Sequence, residues 1–148
     1  MKKFLATDDR WSTLLIRLAL GIVIFPHGAQ KLLGWWGGPG FSGTLTGFEQ
    51  GFGVPAFLTA LVIVAEFFGG LGLIFGFLTR LSAIGVGLVM LGAVYLVHWP
   101  NGFFMNWGGQ QAGEGFEYHL LALGICLALL VAGGGRWSVD GALAGKRR

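Results

Sequence analysis

The chain has 148 residues, of which 54% are apolar and 11% charged, against about 25% charged in an ordinary soluble domain. That length allows one domain, and a domain this small cannot hide so much apolar surface from water, so the composition predicts an integral membrane protein. The single cysteine, Cys126, excludes a disulfide scaffold and a self-contained thiol–disulfide enzyme, and a scattered net charge of +3 excludes nucleic acid as a partner.

Four apolar stretches succeed one another along the chain, over residues 11–33, 55–77, 81–99 and 118–132. They predict an all-α, four-helix membrane bundle that occupies the whole chain as one domain. The first stretch reaches roughly 34 Å at about 1.5 Å per residue, enough to cross a hydrocarbon layer of about 30 Å with some tilt. It is not expected to be a cleaved signal peptide, because it is too long, is interrupted by Arg17, and lacks a small-residue cleavage site. The fourth is the shortest and is expected to gain a turn from its flanks. The segments 34–41 and 101–115 are rich in Gly and aromatics and poor in charge, which predicts chain folded back on the outer interface. One reading makes them an aromatic belt, the other a lid over an outward-facing pocket.

Lys2, Lys3, Arg10, Arg80, Arg136, Lys146, Arg147 and Arg148 all fall on one side of this arrangement. Arg17 and Lys31 lie within the first span. The opposite connections, 34–54 and 100–117, hold no Lys or Arg and carry Glu49, Glu114 and Glu117. The positive-inside rule then places both termini in the cytoplasm, in a multi-pass protein of the inner membrane. A weak repeat is also visible. His27 precedes Trp36-Gly37-Gly38 by the same interval that separates His98 from Trp107-Gly108-Gly109, and Arg80, Ser82, Gly85 match Arg136, Ser138, Gly141. This pattern suggests two repeated helical hairpins.

A charge at bilayer depth costs several kcal/mol, about 3 on insertion scales, so each one needs a partner or a purpose. Glu66 sits near the middle of the second span among Val, Ala and Phe. It is either half of an interhelical ion pair or a carboxyl that faces substrate or carries a proton. Arg17 lies deeper and snorkels inward, forms a fixed pair, or reaches toward Glu66. His27 and Lys31 share one face of the first helix, just after Pro26, and suit an anion- or carbonyl-facing role. His98, Glu117 and His119 fall at the same outer level, so an outer polar cluster above Glu66 is geometrically open. No metal-ligand spacing appears, since Glu117 and His119 diverge on a helix. Two histidines at one depth on parallel helices are also the arrangement of an axial haem pair. Cys126 reads as an inert core thiol, and Gly69-Gly70-x-Gly72, Gly85-x-Gly87 and Gly133-Gly134-Gly135 as close helix packing.

Three ordered motifs resemble those of the DoxX family of small four-helix membrane proteins. They are Phe25-Pro26-His27-Gly28-Ala29-Gln30-Lys31-Leu32; Glu66-Phe67-Phe68-Gly69-Gly70-Leu71-Gly72-Leu73-Ile74-Phe75-Gly76 with Thr79-Arg80; and Gly133-Gly134-Gly135-Arg136-Trp137-Ser138-Val139-Asp140. The resemblance implies a link to quinone-dependent membrane oxidoreductases of thiosulfate, thiol or quinone stress. It points to His27, Lys31 and Glu66 as the functional positions.

The chain shows no flavin, iron–sulfur or nicotinamide motif, so electrons would come from a partner protein or a small reductant. The expectation is a quinone-linked subunit with the headgroup between spans one and two. In it Glu66 and His27 act on protons, and Lys31, His98, Glu117 and His119 are available to hold the ring. The alternatives are a non-catalytic anchor or assembly factor for soluble redox enzymes, and a small-solute carrier that would need a homo-oligomer to alternate its access.

Overall fold

A computed structural model describes residues 4–145. The long apolar runs form helices because in lipid each backbone N–H and C=O must be paired within its own segment. In order they are α1 (Trp11–Leu33), α2 (Gly40–Phe52), α3 (Ala56–Phe75), α4 (Thr79–Ala93), α5 (Glu117–Ala132) and a short α6 (Val139–Leu143). The helix begun by α4 runs on through one π-helical turn, Val94–His98, and a 3-10 turn, Trp99–Asn101. That makes three helices long and apolar enough to cross a membrane, with α5 as a shorter fourth. The molecule is a membrane helical bundle.

Two expectations need correction. The fourth span gains Glu117 and no further turn. Gly133 and Gly135, at φ 78° and 69°, turn the chain away at its inner end, and Phe116 and Glu117 are held at its outer end by backbone bonds to Gly102 and Phe103. The second correction concerns the outer connection 34–54, for which no helix was expected and which contains α2. Four glycines make a poor intrinsic helix, yet α2 packs against both α1 and α3. Thr44, which is buried, donates to the otherwise unpaired carbonyl of Lys31 at 3.1 Å. Tertiary contact overrides propensity there.

The four long helices close a ring in which α1 meets α3, α3 meets α4, α4 meets α5, and α5 returns to α1. Leu20, Ile24, Leu73, Val86, Met90 and Leu129 are among the side chains that fill its centre, with Cys126 beside them as expected. Leu88, Leu121 and Val131 point outward and are exposed to lipid. The contact between α1 and α3 is the closest. A Cβ on Gly28 would run into the backbone of Phe67, and one on Gly70 would lie 2.8 Å from the Cα of Phe25. The Gly69-Gly70-x-Gly72 step divides its work. Gly70 faces α1, while Gly69 and Gly72 face Val86 and Ser82 on α4.

At the inner end, side chains complete helices that stop within the apolar layer. Arg17, 1% exposed, donates from Nη1 to the carbonyls of Leu73 (2.5 Å) and Ile74 (2.6 Å), and from Nε to Gly134 (2.8 Å). It neither snorkels nor reaches Glu66, because the last-turn carbonyls of α3 have no other donors. Arg80 does the same for α5, donating to Leu130 (2.8 Å) and Val131 (3.0 Å) and also to Phe4. Asp140 accepts from the first free N–H groups of α4, Leu78 at 2.7 Å and Thr79 at 2.8 Å, where a negative charge also suits the helix dipole. Gly76 ends α3 at φ 67°, and a side chain there would strike Ser138.

The residues of the apparent repeat take different local structures. Trp36 and Gly37 form a 3-10 turn, whereas Trp107 is 89% exposed on the outer connection. Ser82 is buried inside α4, whereas Ser138 caps α6. The terminal Lys2, Lys3, Lys146, Arg147 and Arg148 lie outside the described residues.

Gly28→Ala should lower stability by about 1–3 kcal/mol through overpacking. Gly124→Ala, whose Cβ meets nothing, should be neutral or gain up to about 1 kcal/mol from helix propensity. Unfolding midpoints of the two variants in one detergent check the contrast.

Candidate functional site

The register set by Gly28 against Phe67 brings the next turn of α1 to the side chain that precedes Phe67 on α3. Lys31 Nζ lies 2.6 Å from Glu66 Oε2. The Glu66 side chain is 7% exposed and that of Lys31 20%. Two candidates from the sequence are thereby joined, and the choice between a partner above Glu66 and Arg17 below it is decided for Lys31. Only one Glu66 oxygen is used. Oε1 makes no hydrogen bond among the described residues, and Lys31 keeps two of its three donors.

His27 stands on the same face of α1, exposed at the outer end. It is close enough to Lys31 and Glu66 to interact with both electrostatically, though it is hydrogen-bonded to neither. The expected outer cluster is otherwise split. Glu117 turns away from it and accepts from the Met105 N–H at 3.0 Å, bracing the 102–116 connection. Glu114 braces the same segment through the Asn106 N–H. These bonds, with Trp99 stacked on Phe116 at 5.5 Å, hold the outer connection to itself.

His98 and His119 meet each other. Their ring centroids are 4.1 Å apart with planes tilted by 41°, so His98 is committed to His119 and does not face His27 in the manner of an axial pair. The π-helical turn that ends at His98 adds a residue to one turn of α4 and so rotates the side chains beyond it, a device common at functional sites. His98 Nδ1 is 2.8 Å from the carbonyl oxygen of Glu114 and donates to it. That bond puts a proton on Nδ1 and leaves Nε2 as the ring nitrogen not engaged by it. His119 is 6% exposed, and its Nδ1 has no partner among the described residues; the same is true of the buried Tyr118 hydroxyl. Among the described residues no group of three or more His, Cys, Asp or Glu is placed to share a metal.

The space beside these groups is not where the sequence placed it. Between the first two spans, Gly28 and Gly70 bring the backbones together and fill the gap. A groove of about 1160 Å³ runs instead between α3 and α4. Leu61, Phe68, Phe75 and Leu88 form its apolar walls, and Lys31, Glu66 and His98 are its ionisable lining. The sequence signal for it was present in the small residues Gly69, Gly72 and Gly85, which also line it but read as packing alone. The groove exceeds the ~300–1,000 Å³ of an ordinary small-molecule site and opens sideways into the bilayer.

Removing one partner of the buried pair leaves the other uncompensated. Lys31→Ala should cost about 3–5 kcal/mol, while Lys31→Met combined with Glu66→Met should return close to wild type. A double-mutant cycle on thermal midpoints measures the difference.

The DoxX family profile matches residues 12–99. The protein named Putative oxidoreductase CatD of Bacillus subtilis is 32% identical over 79% of this chain and 77% of its own. Inner membrane protein YqjF of Escherichia coli is 35% identical over 72% of this chain and 77% of its own. The membrane protein Rv3486 of Mycobacterium tuberculosis is 34% identical over 87% and 79%. No solved structure matches the chain significantly. The closing motif at Gly133–Asp140 lies beyond the family match, which takes in α1 to α4 with Lys31, Glu66 and His98. This chain belongs to the DoxX family.

Proposed function

We propose that this chain is the inner-membrane component of a redox system and that the Lys31–Glu66 pair is where it handles a quinone headgroup. The observation that carries the reading is an ion pair with an unused carboxylate oxygen and two unused ammonium donors, set in an apolar groove that opens to lipid. A relative named as an oxidoreductase and another named as an inner membrane protein support it. So does the gathering of Arg10, Arg80 and Arg136 at one end of the bundle, where Arg136 packs over Trp11 and bonds the carbonyl of Arg10. By the positive-inside rule that end faces the cytoplasm, with both termini.

When bound, a quinone supplies two-electron, two-proton chemistry, with electrons from a partner protein or a small reductant such as thiosulfate. The chain's residues do the rest. Lys31 Nζ donates to a ring oxygen, and its charge favours the oxygen as negative charge builds there. Glu66 Oε1 accepts or returns the proton at that oxygen. The apolar walls exclude water, which strengthens both interactions. His27, exposed beside the pair, links it to the outer surface.

Quenching of tryptophan fluorescence by para-naphthoquinone in lipid-reconstituted protein tests this. Wild type should quench saturably, and Lys31→Ala and Glu66→Gln should weaken binding about tenfold or more, since hydrogen bonds to charged groups are worth about 1.5–3 kcal/mol. Equal quenching in all three folded proteins would leave the pair a structural brace and the chain an anchor for its partners.

A further inference from the structure

We infer that the ligand of the α3–α4 groove is a quinone carrying one long hydrocarbon chain, with its ring at Lys31 and Glu66 and its chain laid along the inner half of the groove. This rests on the quinone reading above and names the class of quinone.

The groove is divided by polarity. It runs from Phe52 and Pro55, near the outer end of α3, to Phe75 and Leu81 near the inner end. Its ionisable groups all lie at the level of Glu66 or outward of it. Lys31 is paired with Glu66, and His98 ends the π-helical turn at the outer end of α4. Inward of Glu66 the side chains of the lining are apolar but for the hydroxyl of Ser82. From Glu66 to Phe75, α3 runs on for about 14 Å.

That inner half is shaped for a chain. Gly69 and Gly72 leave its floor without side chains, while Phe68 and Phe75 stand exposed along it. A ring held at the ion pair does not reach this space, and walls left without a partner forfeit their dispersion contacts. A narrow chain without polar groups supplies them. Polarity also sets its direction. A chain laid outward would pass Lys31 and come to His98, whereas one laid inward meets no charge. Lipid is as apolar as the groove, so the chain is recognised by packing and not by a hydrophobic force. The groove opens sideways, so such a ligand enters from the bilayer and its chain never crosses water.

The test uses the full chain in nanodiscs and two photoprobes with a diazirine at the end of the same long chain. One is headed by a naphthoquinone, the other by a primary alcohol. Peptide mapping after illumination should find the quinone probe on Phe75 and Leu81, about tenfold above Leu121 and Val131, which face lipid from α5. The alcohol probe should show no such enrichment. In quenching titrations, with concentrations expressed per lipid, a short-chain menaquinone should bind about tenfold more tightly than menadione, which has the same ring and no chain. On the order of ten added carbon contacts supply that ratio. Leu81→Trp, at an exposed position lining the inner half, should abolish the ratio. Quinone label concentrated at Phe52 or Leu96, or equal at Leu81 and Val131, overturns this inference and leaves the quinone reading standing. So does a ratio near one in wild type, or a ratio that survives Leu81→Trp. Equal enrichment of both probes at Leu81, together with no saturable quenching by either quinone, makes the groove a general lipid site and overturns both.

Discussion

The closeness of α1 and α3 is the constraint that creates the site. Gly28 and Gly70 have no side chain, so each helix lays its backbone directly on the other. Backbone-to-backbone contact fixes register more strictly than interleaved side chains, because neither partner has rotamers with which to adjust. Lys31, one turn beyond Gly28, is thereby held against Glu66, one residue before Phe67. The pair draws Glu66 into a bundle whose apolar interior would otherwise reject it. The same contact removes any ligand space between these two helices. It leaves α3 with its opposite face available, and that is the face on which the groove lies.

Bilayer chemistry explains the inner end. Helices that stop short of water leave terminal carbonyls and amides without partners, and in lipid each unpaired group costs several kcal/mol, about 4–8 against a solvent unable to bond it. Arg17, Arg80 and Asp140 answer this demand, each from a different segment of the chain from the groups it satisfies. Arginine suits the task because its donors fan out in a plane and bind several carbonyls at once. What reads in sequence as scattered charge is a set of caps lent between helices.

The spans were legible because a membrane helix must be a continuous apolar run. The depth of Glu66 was legible for the same reason. Its partner was not, because Arg17 and Lys31 lie at nearly equal axial distance from it and only the lateral register distinguishes them. Glu117 shows the same limit. Its depth is as expected, but its side chain satisfies Met105 on the outer connection. Helix α2 escaped because its glycines argue against a helix when taken alone, and only the surfaces of α1 and α3 supply the compensating contact. His98 was noticed as a polar residue at the outer level, but a π-helical turn has no sequence signature, so the direction of its ring could not be read.

The carbonyls that Arg17 binds belong to residues between 56 and 120 positions later in the chain. During synthesis, therefore, the first helix must enter the membrane before any of those acceptors exists. Its guanidinium crosses that interval either at the headgroup level or within the insertion machinery, and α1 settles to its final depth only when α3 arrives. Trp137 comes last of all. The order in which the ribosome delivers the segments is thus built into the architecture, and the early helix is completed by the late ones.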